Sequence, residues 1–308
     1  MLDDLDYWVT QKANIDKVDC KPFGIQGSLL SILREDQLLD EVSGNKLRKL
    51  LPNLMAAKAQ GINRIVTFGG AYSNHIAATA AAGQRFGFDT LGLIRGEELS
   101  ERVKDNPTLH RARERGMELK FLSRADYRRR SEEDFLNTLE QEFGPCMVVP
   151  EGGSNDLAKE GVAQMLRDLP NKYRIICTPI GSGGTMAGLL KGANKDQEIW
   201  GFSALKGIDF NTQLSEYGQG IQRKIFDQYH FGGYAKANND LIQFINNFKA
   251  VTGIPLDPIY TAKMMFGLID FLLKNPKIDL ADILVIHTGG LQGILGFNKG
   301  NETLINIQ

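Results

Sequence analysis

The chain has 308 residues, with 36 Lys plus Arg against 37 Asp plus Glu and a net charge of −1. That length suits about two domains and a sizeable core, which excludes a peptide or a disulfide mini-scaffold. The balanced charge leaves neither a nucleic-acid footprint nor an acidic tail. Hydrophobic residues at 42% and charged residues at 24% are ordinary for a soluble globular enzyme, while 33 glycines exceed the usual ~7% and point to tight turns and close backbone approaches.

The start, MLDDLDYWVT, lacks the charged and apolar regions of a signal peptide, and no window approaches ~18 uninterrupted apolar residues. Cys20, Cys146 and Cys177 are too few, and odd in number, for a disulfide framework. A soluble protein of a reducing cytoplasm is the expectation.

Strands are expected at 28–35, 64–68, 90–94, 118–122, 146–150, 174–180, 198–204 and 283–287. Helices are expected at 46–60, 74–86, 107–115, 131–143, 156–169, 184–194, 239–248 and 259–274. Apolar strands separated by helices of this length predict an α/β class, with parallel βαβ units and helices on both faces of open, twisted sheets. The clearest composition shifts are the turn-rich EVSGN at 41–45 and PEGGSN at 150–155. Ligands of such sheets bind where strands lead into helices, so chemistry is expected in FGGAYSNH (68–75), IGSGGTMAG (180–188) and IHTGGLQG (286–293).

The segment RIICTPI–GSGGT–MAGLLKGA reads as strand, glycine loop, helix. Gly181, Gly183 and Gly184 uncover backbone N–H groups beside the positive end of a helix, and Ser182 and Thr185 add hydroxyls, which suits a phosphate. It is neither a Walker A loop nor a full GxGxxG, because position 186 is Met186. In the second loop Ser73 and Asn74 suit an N-cap, and the alanines behind them would let the helix approach the sheet closely. His75 has no partner at metal-ligand spacing, so no metal is expected. Lys46, Arg48 and Lys49 would ordinarily form a solvated basic face. Lys46 alone stands at a helix start, where a cation is disfavoured and the neutral, nucleophilic amine is favoured. There is no GxSxG elbow and no zinc spacing. A phosphate cradle plus a reactive lysine is the constellation that pyridoxal phosphate requires.

In order and spacing, GNKLRKL, GGAYSNHIAATAAAG, PEGGSN, GSGGTMAG and LDPIYTAKMMFGL resemble one family. It is the 1-aminocyclopropane-1-carboxylate deaminase and D-cysteine desulfhydrase family, pyridoxal-phosphate enzymes of the tryptophan-synthase-β-like type II fold. The resemblance runs from about residue 20 to residue 298. It implies that Lys46 is the Schiff-base lysine, that Asn45 and Asn74 touch the cofactor, and that Gly181, Ser182, Gly183, Gly184 and Thr185 hold its phosphate. Ser73, Asn74, His75 and Thr288 would meet the substrate, Tyr260 would lie beside the cofactor ring, and Thr261 would face the pyridine nitrogen. Tyr234 resembles a second active-site tyrosine, within residues 203–240, which depart from the family pattern. Family deaminases carry a glutamate where this chain has Thr261 and a leucine where it has Thr288, so the desulfhydrase branch is implied. The resemblance further implies a larger domain of residues 1–49 and 149–308, an inserted smaller domain of 50–148 with the cofactor in the cleft, and a homodimer. The expected activity is β-elimination of D-cysteine or a related D-amino acid. The alternative is 1-aminocyclopropane-1-carboxylate deamination. Another type II activity, such as serine dehydration or β-replacement, and a non-catalytic ligand-binding homologue rank below both.

Overall fold

A computed structural model describes residues 5–39, 42, 44–299 and 303–306; Glu41 and Ser43 of the EVSGN turn lie outside the described residues. In chain order the elements begin with α1 (Leu5–Thr10), β1 (Ile15–Val18), β2 (Leu30–Leu33), α2 (Lys46–Ala59), β3 (Arg64–Gly69), α3 (Asn74–Phe86), β4 (Asp89–Arg95), α4 (Pro107–Glu114) and β5 (Glu118–Leu122). There follow α5 (Arg124–Arg128), α6 (Glu133–Phe143), β6 (Cys146–Val149), α7 (Asp156–Arg167), β7 (Ile175–Ile180), α8 (Gly184–Gly192) and β8 (Glu198–Ser203). The last are α9 (Phe210–Gln213), β9 (Gln222–Phe226), α10 (Asn239–Thr252), α11 (Thr261–Lys274), β10 (Ile283–Ile286) and α12 (Gly293–Asn298).

Two compact units divide them. One comprises Met1–Gln11 with Lys46–Gly161, the other Lys12–Asn45 with Val162–Gln308. The junctions therefore fall directly before Lys46 and after Gly161, and the N-terminal helix α1 joins the smaller unit.

The smaller unit contains a parallel sheet of order β5-β4-β3-β6. Its core lies on both faces, as period-2 side chains require: Leu91 and Leu93 of β4 enter one apolar cluster and Ile94 the other. Helix α3 approaches closely because its inner side is small. Ala78, Ala80, Ala81 and Ala82 are buried, and a Cβ on Gly83 would collide with Thr90 and with Phe88 O, the latter at 2.8 Å. Helix α2 contains Pro52, which has no N–H for the Arg48 carbonyl four residues earlier. Gly161 of α7 lies against that carbonyl, with room for no side chain.

The larger unit has the sheet order β1-β2-β10-β7-β8-β9, parallel except for the β1–β2 pair. Strand β10 shows the same alternation: Ile283 and Val285 face one cluster, Leu284 and Ile286 the other. Strands β1 and β9 escape the pattern expected from sequence. Both are edge strands, and IDKV and QRKIF are only partly buried, so neither carries an apolar run.

Candidate active site

In the larger unit, β2, β10 and β7 are neighbours and parallel, so the chain leaves all three at the same end of the sheet. Their exits bring three loops together. After β2 the chain runs to Asn45, which is 4% exposed and donates from Nδ2 to Thr185 Oγ1 at 2.7 Å. Its backbone N–H donates to Thr288 O, in the loop after β10, at 3.2 Å. Gly44 makes this approach possible: its φ is +68°, and a Cβ there would lie 2.5 Å from the Thr288 carbonyl carbon and nearer still to its oxygen.

The loop after β7 opens α8 through Gly183, at φ 84°, and no side chain caps the helix. The positive end of α8 is thus presented by glycine backbone. A Cβ on Gly181 would meet Tyr260 Cε1 at 2.8 Å, so the ring of Tyr260 lies flush against the loop. The carbonyl of exposed Ser182 accepts from Gln213 Nε2 at 3.3 Å.

Tyr260 and Thr261 are held by Asp257, a residue that sequence reasoning missed although Asp-Pro before a helix is a known turn signal. Asp257 is 1% exposed. Its Oδ2 accepts from the N–H groups of Ile259 and Tyr260, both at 3.0 Å, and its Oδ1 from Thr261 N at 2.8 Å and Thr261 Oγ1 at 2.7 Å. Thr261 Oγ1 also accepts from Asp257 N at 2.8 Å. The hydroxyl proton is therefore committed, and the oxygen keeps one lone pair. Tyr234 is half-exposed, its ring centroid 6.3 Å from that of Tyr260.

A second missed group sits under the loop after β10. His287 is 1% exposed, with Nε2 2.7 Å from Pro255 O, and it accepts from Gly289 N at 3.3 Å. Asp36, held by Arg34 through two hydrogen bonds of 2.9 and 2.7 Å, lies 3.2 Å from His287 Nδ1.

In the smaller unit, α2 begins at Lys46, as expected. The expected basic face does not form: Arg48 is 6% exposed and Lys49 2%. Lys49 Nζ donates to Gly152 O at 3.1 Å, and burial, reinforced by the charge of Lys46, holds its pKa well below the ordinary lysine range. The Gly152 carbonyl draws the Lys49 amine inward.

Ser73 is the N-cap of α3 and accepts from Ile76 N at 3.3 Å, with Asn74 as first helical residue. His75 is buried, with Nε2 2.8 Å from Thr67 Oγ1. Thr67 spends its only proton on Val149 O at 2.7 Å, so it must accept from His75 Nε2–H. His75 Nδ1 then carries a lone pair, buried and without a hydrogen-bond partner among the described residues. Burial and the charges of Lys46 and Lys49 hold its pKa well below the ordinary histidine range, and the ring stays neutral. Among the described residues no cluster of His, Cys, Asp and Glu could hold a metal ion.

Residues 30–289 match the family described as "Pyridoxal-phosphate dependent enzyme". The chain belongs to that family. It is 30% identical over 297 residues to the bifunctional D-cysteine desulfhydrase/1-aminocyclopropane-1-carboxylate deaminase of Arabidopsis thaliana, covering 87% of this chain and 74% of that one. It is 28% identical over 298 residues to the D-cysteine desulfhydrase of Yersinia pestis, covering 88% and 89%. A crystal structure of an ACC deaminase homologue superposes with a TM-score of 0.81 at 26% identity, over 95% of this chain and 94% of that one. The two-unit α/β architecture is accordingly the type II fold, and the protein is a pyridoxal-phosphate enzyme.

The residues present fit that cofactor. A phosphate needs backbone donors at an uncapped helix start, and the α8 entrance offers them without an intervening Cβ at 183 or 184. Lys46, which would supply the amine that the cofactor needs, follows Asn45 in the chain, and Asn45 is itself bonded to Thr185 of the glycine loop. No described helix is long and apolar enough to cross a membrane.

Proposed function

We propose that this pyridoxal-phosphate enzyme is a lyase that eliminates the β-thiol of a small amino acid, D-cysteine foremost, using water to give pyruvate, sulfide and ammonia. The single observation that carries the reading is Lys46 at the start of α2, one peptide bond from the Asn45–Thr185 hydrogen bond of the glycine loop. The names of its relatives support the substrate class. They equally support a second reading, opening of 1-aminocyclopropane-1-carboxylate to 2-oxobutyrate and ammonia. Thr261 and Thr288, in place of a glutamate and a leucine, favour the first.

Bound cofactor supplies an electron sink for the carbanion at the substrate α-carbon. In the proposed assignment, the backbone of Gly181–Thr185 and the Ser182 and Thr185 hydroxyls hold the phosphate. Lys46 would anchor the cofactor, and its Nζ would be the base for the substrate α-proton. Asn45 and Asn74 hold the cofactor, and the remaining lone pair of Thr261 is available to the pyridine nitrogen. The N–H groups of Asn74 and His75 at the α3 N-terminus, with the Ser73 hydroxyl, would suit the substrate carboxylate, whereas the neutral His75 ring has only a lone pair to offer; the resemblance implies that Thr288 also meets the substrate. Tyr260, with Tyr234 beside it, protonates the departing sulfur. A carboxylate in place of Thr261 would hold a proton on the ring nitrogen by its charge; the neutral Thr261 oxygen, its own proton given to Asp257, can only accept from a protonated ring and holds that proton far more weakly. Loss of a good leaving group needs less of that electron withdrawal than ring opening does.

The same reading makes the protein a homodimer of the reducing cytoplasm, in keeping with its three unpaired cysteines. Light scattering of the holoenzyme tests the dimer. The decisive assay offers D-cysteine and 1-aminocyclopropane-1-carboxylate separately. Sulfide and pyruvate from the first, with little 2-oxobutyrate from the second, is expected. Efficient 2-oxobutyrate formation overturns the assignment in favour of the second reading, and inertness toward both by a cofactor-loaded protein overturns the lyase reading.

A further inference from the structure

Residues 229–235 follow a strained path. Phe231 and Ala235 sit at φ 52° and 56°, in the left-handed region that side chains avoid, with Gly232 and Gly233 at 93° and 114° between them. Such a path persists only where its surroundings over-determine it. One face of α11 does so. Lys263, Phe266, Gly267 and Asp270 recur at helical spacing, and each engages this segment.

Lys263 Nζ donates to His230 O at 2.8 Å and to Gly233 O at 2.7 Å. Phe266 stacks edge-on to Phe231 at 5.1 Å. A Cβ on Gly267 would lie 2.6 Å from Tyr229 Cδ2, so only glycine admits that ring. Tyr229 Oη donates to Asp270 Oδ2 at 2.6 Å; burial and this carboxylate push its pKa up to about 12, so it keeps the proton it donates. Lys263 is 1% exposed, and its long stem spends its whole reach on two carbonyls.

We propose that Lys263 is a positioning residue: it clamps the 229–235 segment to α11 and so holds Tyr234 against Tyr260, the first-turn neighbour on the same helix. This rests on the proposed roles of Tyr260 and Tyr234. The two carbonyls flank Tyr234 on its N-terminal side, and the strained φ of Ala235 flanks it on the other. Without the clamp, both non-glycine residues are free to relax out of the left-handed region, which swings Tyr234 away. The consequence is confined to the step that uses the tyrosine pair. The clamp's partners, His230 O and Gly233 O, lie outside Gly181–Thr185 and Asn45, so cofactor loading should be unaffected.

The test compares the holoenzyme with Lys263→Met, Lys263→Gln, Tyr234→Phe and the Lys263→Met/Tyr234→Phe double variant. Amide hydrogen exchange is read over residues 229–236, cofactor absorbance is read in the visible, and kcat and KM are measured with whichever of D-cysteine or 1-aminocyclopropane-1-carboxylate the parent consumes. Expected for Lys263→Met is ~10-fold or greater acceleration of exchange in that segment, with exchange elsewhere and absorbance unchanged. kcat should fall ~10-fold or more with KM nearly constant, and the double variant should be no slower than Tyr234→Phe. Lys263→Gln, which keeps a donor, should be intermediate, and it decides the matter if the Met variant does not fold. Parental exchange at 229–236, or losses that multiply in the double variant, overturns the proposal. A parent inert toward both substrates overturns the functional reading instead, and the exchange measurement then judges the clamp alone.

Discussion

Gly44→Ala tests the geometry of the junction that delivers Lys46. Two costs are readable from the structure. At φ +68° an alanine pays the left-handed penalty of about 1–2 kcal/mol. Its Cβ would also lie 2.5 Å from the Thr288 carbonyl carbon and 2.8 Å from Gly289 Cα, where ordinary contact begins at 3.4 Å. Both obstacles are backbone, so the strand exits must part by close to an ångström. That separation stretches the 3.2 Å hydrogen bond from Asn45 N to Thr288 O beyond usefulness, a further loss of about 1 kcal/mol. The total is about 2–3 kcal/mol, which for a unit of this size lowers the melting temperature by roughly 4–12 °C. With Lys46 as the proposed reacting group, function should suffer more than stability, because misplacing such a group by ~1 Å can cost ~10²-fold in rate. Calorimetry of the parent and the variant, with turnover measured well below both transitions, checks the two effects. A variant that melts with the parent and turns over at its rate would refute the argument that these loops are in backbone contact at Gly44.

Lys46→Ala should abolish turnover and the visible absorbance of the lysine-linked cofactor; an active variant that keeps the absorbance shows that another lysine serves. Gly183→Val places a branched side chain at φ +84°, with the amide of Gln213 3.4 Å from its Cβ, and should weaken cofactor binding ~10-fold or more in an absorbance titration while far-UV dichroism is preserved. Burial lowers Lys263 from 10.5 to about 8, so between those values the unfolded chain binds the extra proton and stability must rise with pH. Chemical denaturation of the parent and of Lys263→Met, from pH 7 to pH 10, should show a steeper rise in the parent, because buried Lys49 contributes a rise to both; equal slopes contradict it. The clamp itself should survive that deprotonation, because two carbonyls need only two of the three ammonium hydrogens.

Much of the site was legible because its signals are local. Strand, glycine loop and helix follow one another in RIICTPI–GSGGT–MAGLLKGA, and the Ser73 cap and the Lys46 helix start are decided within one turn of chain. The edge strands of the six-stranded sheet, β1 and β9, were not legible. Lys224 of β9 rests its ammonium over the Phe271 ring at 4.1 Å, a contact made only by the fold, so QRKIF carries no apolar run to read. Asp257 was visible only as a turn residue, since its four hydrogen bonds form only when the first turn of α11 folds back on it.

The amino-acid sequence by itself determined the class of fold and the cofactor, and it supplied the residues proposed to bear its chemistry. Apolar periodicity, glycine loops and one lysine at a helix start depend on near neighbours alone. What only the tertiary structure decided is the state and company of the polar groups. Lys49 reads in sequence as part of a solvated face and Lys263 carries no signal at all, yet each is buried and donates to carbonyls distant in sequence. Burial, reinforced by the charge of Lys46 in the case of Lys49, lowers both below the ordinary lysine range. His75 is neutral with a known tautomer because Thr67 has given its proton to a strand 82 residues away. Desolvation and hydrogen-bond partnership depend on what packs overhead, and the chain supplies that from afar.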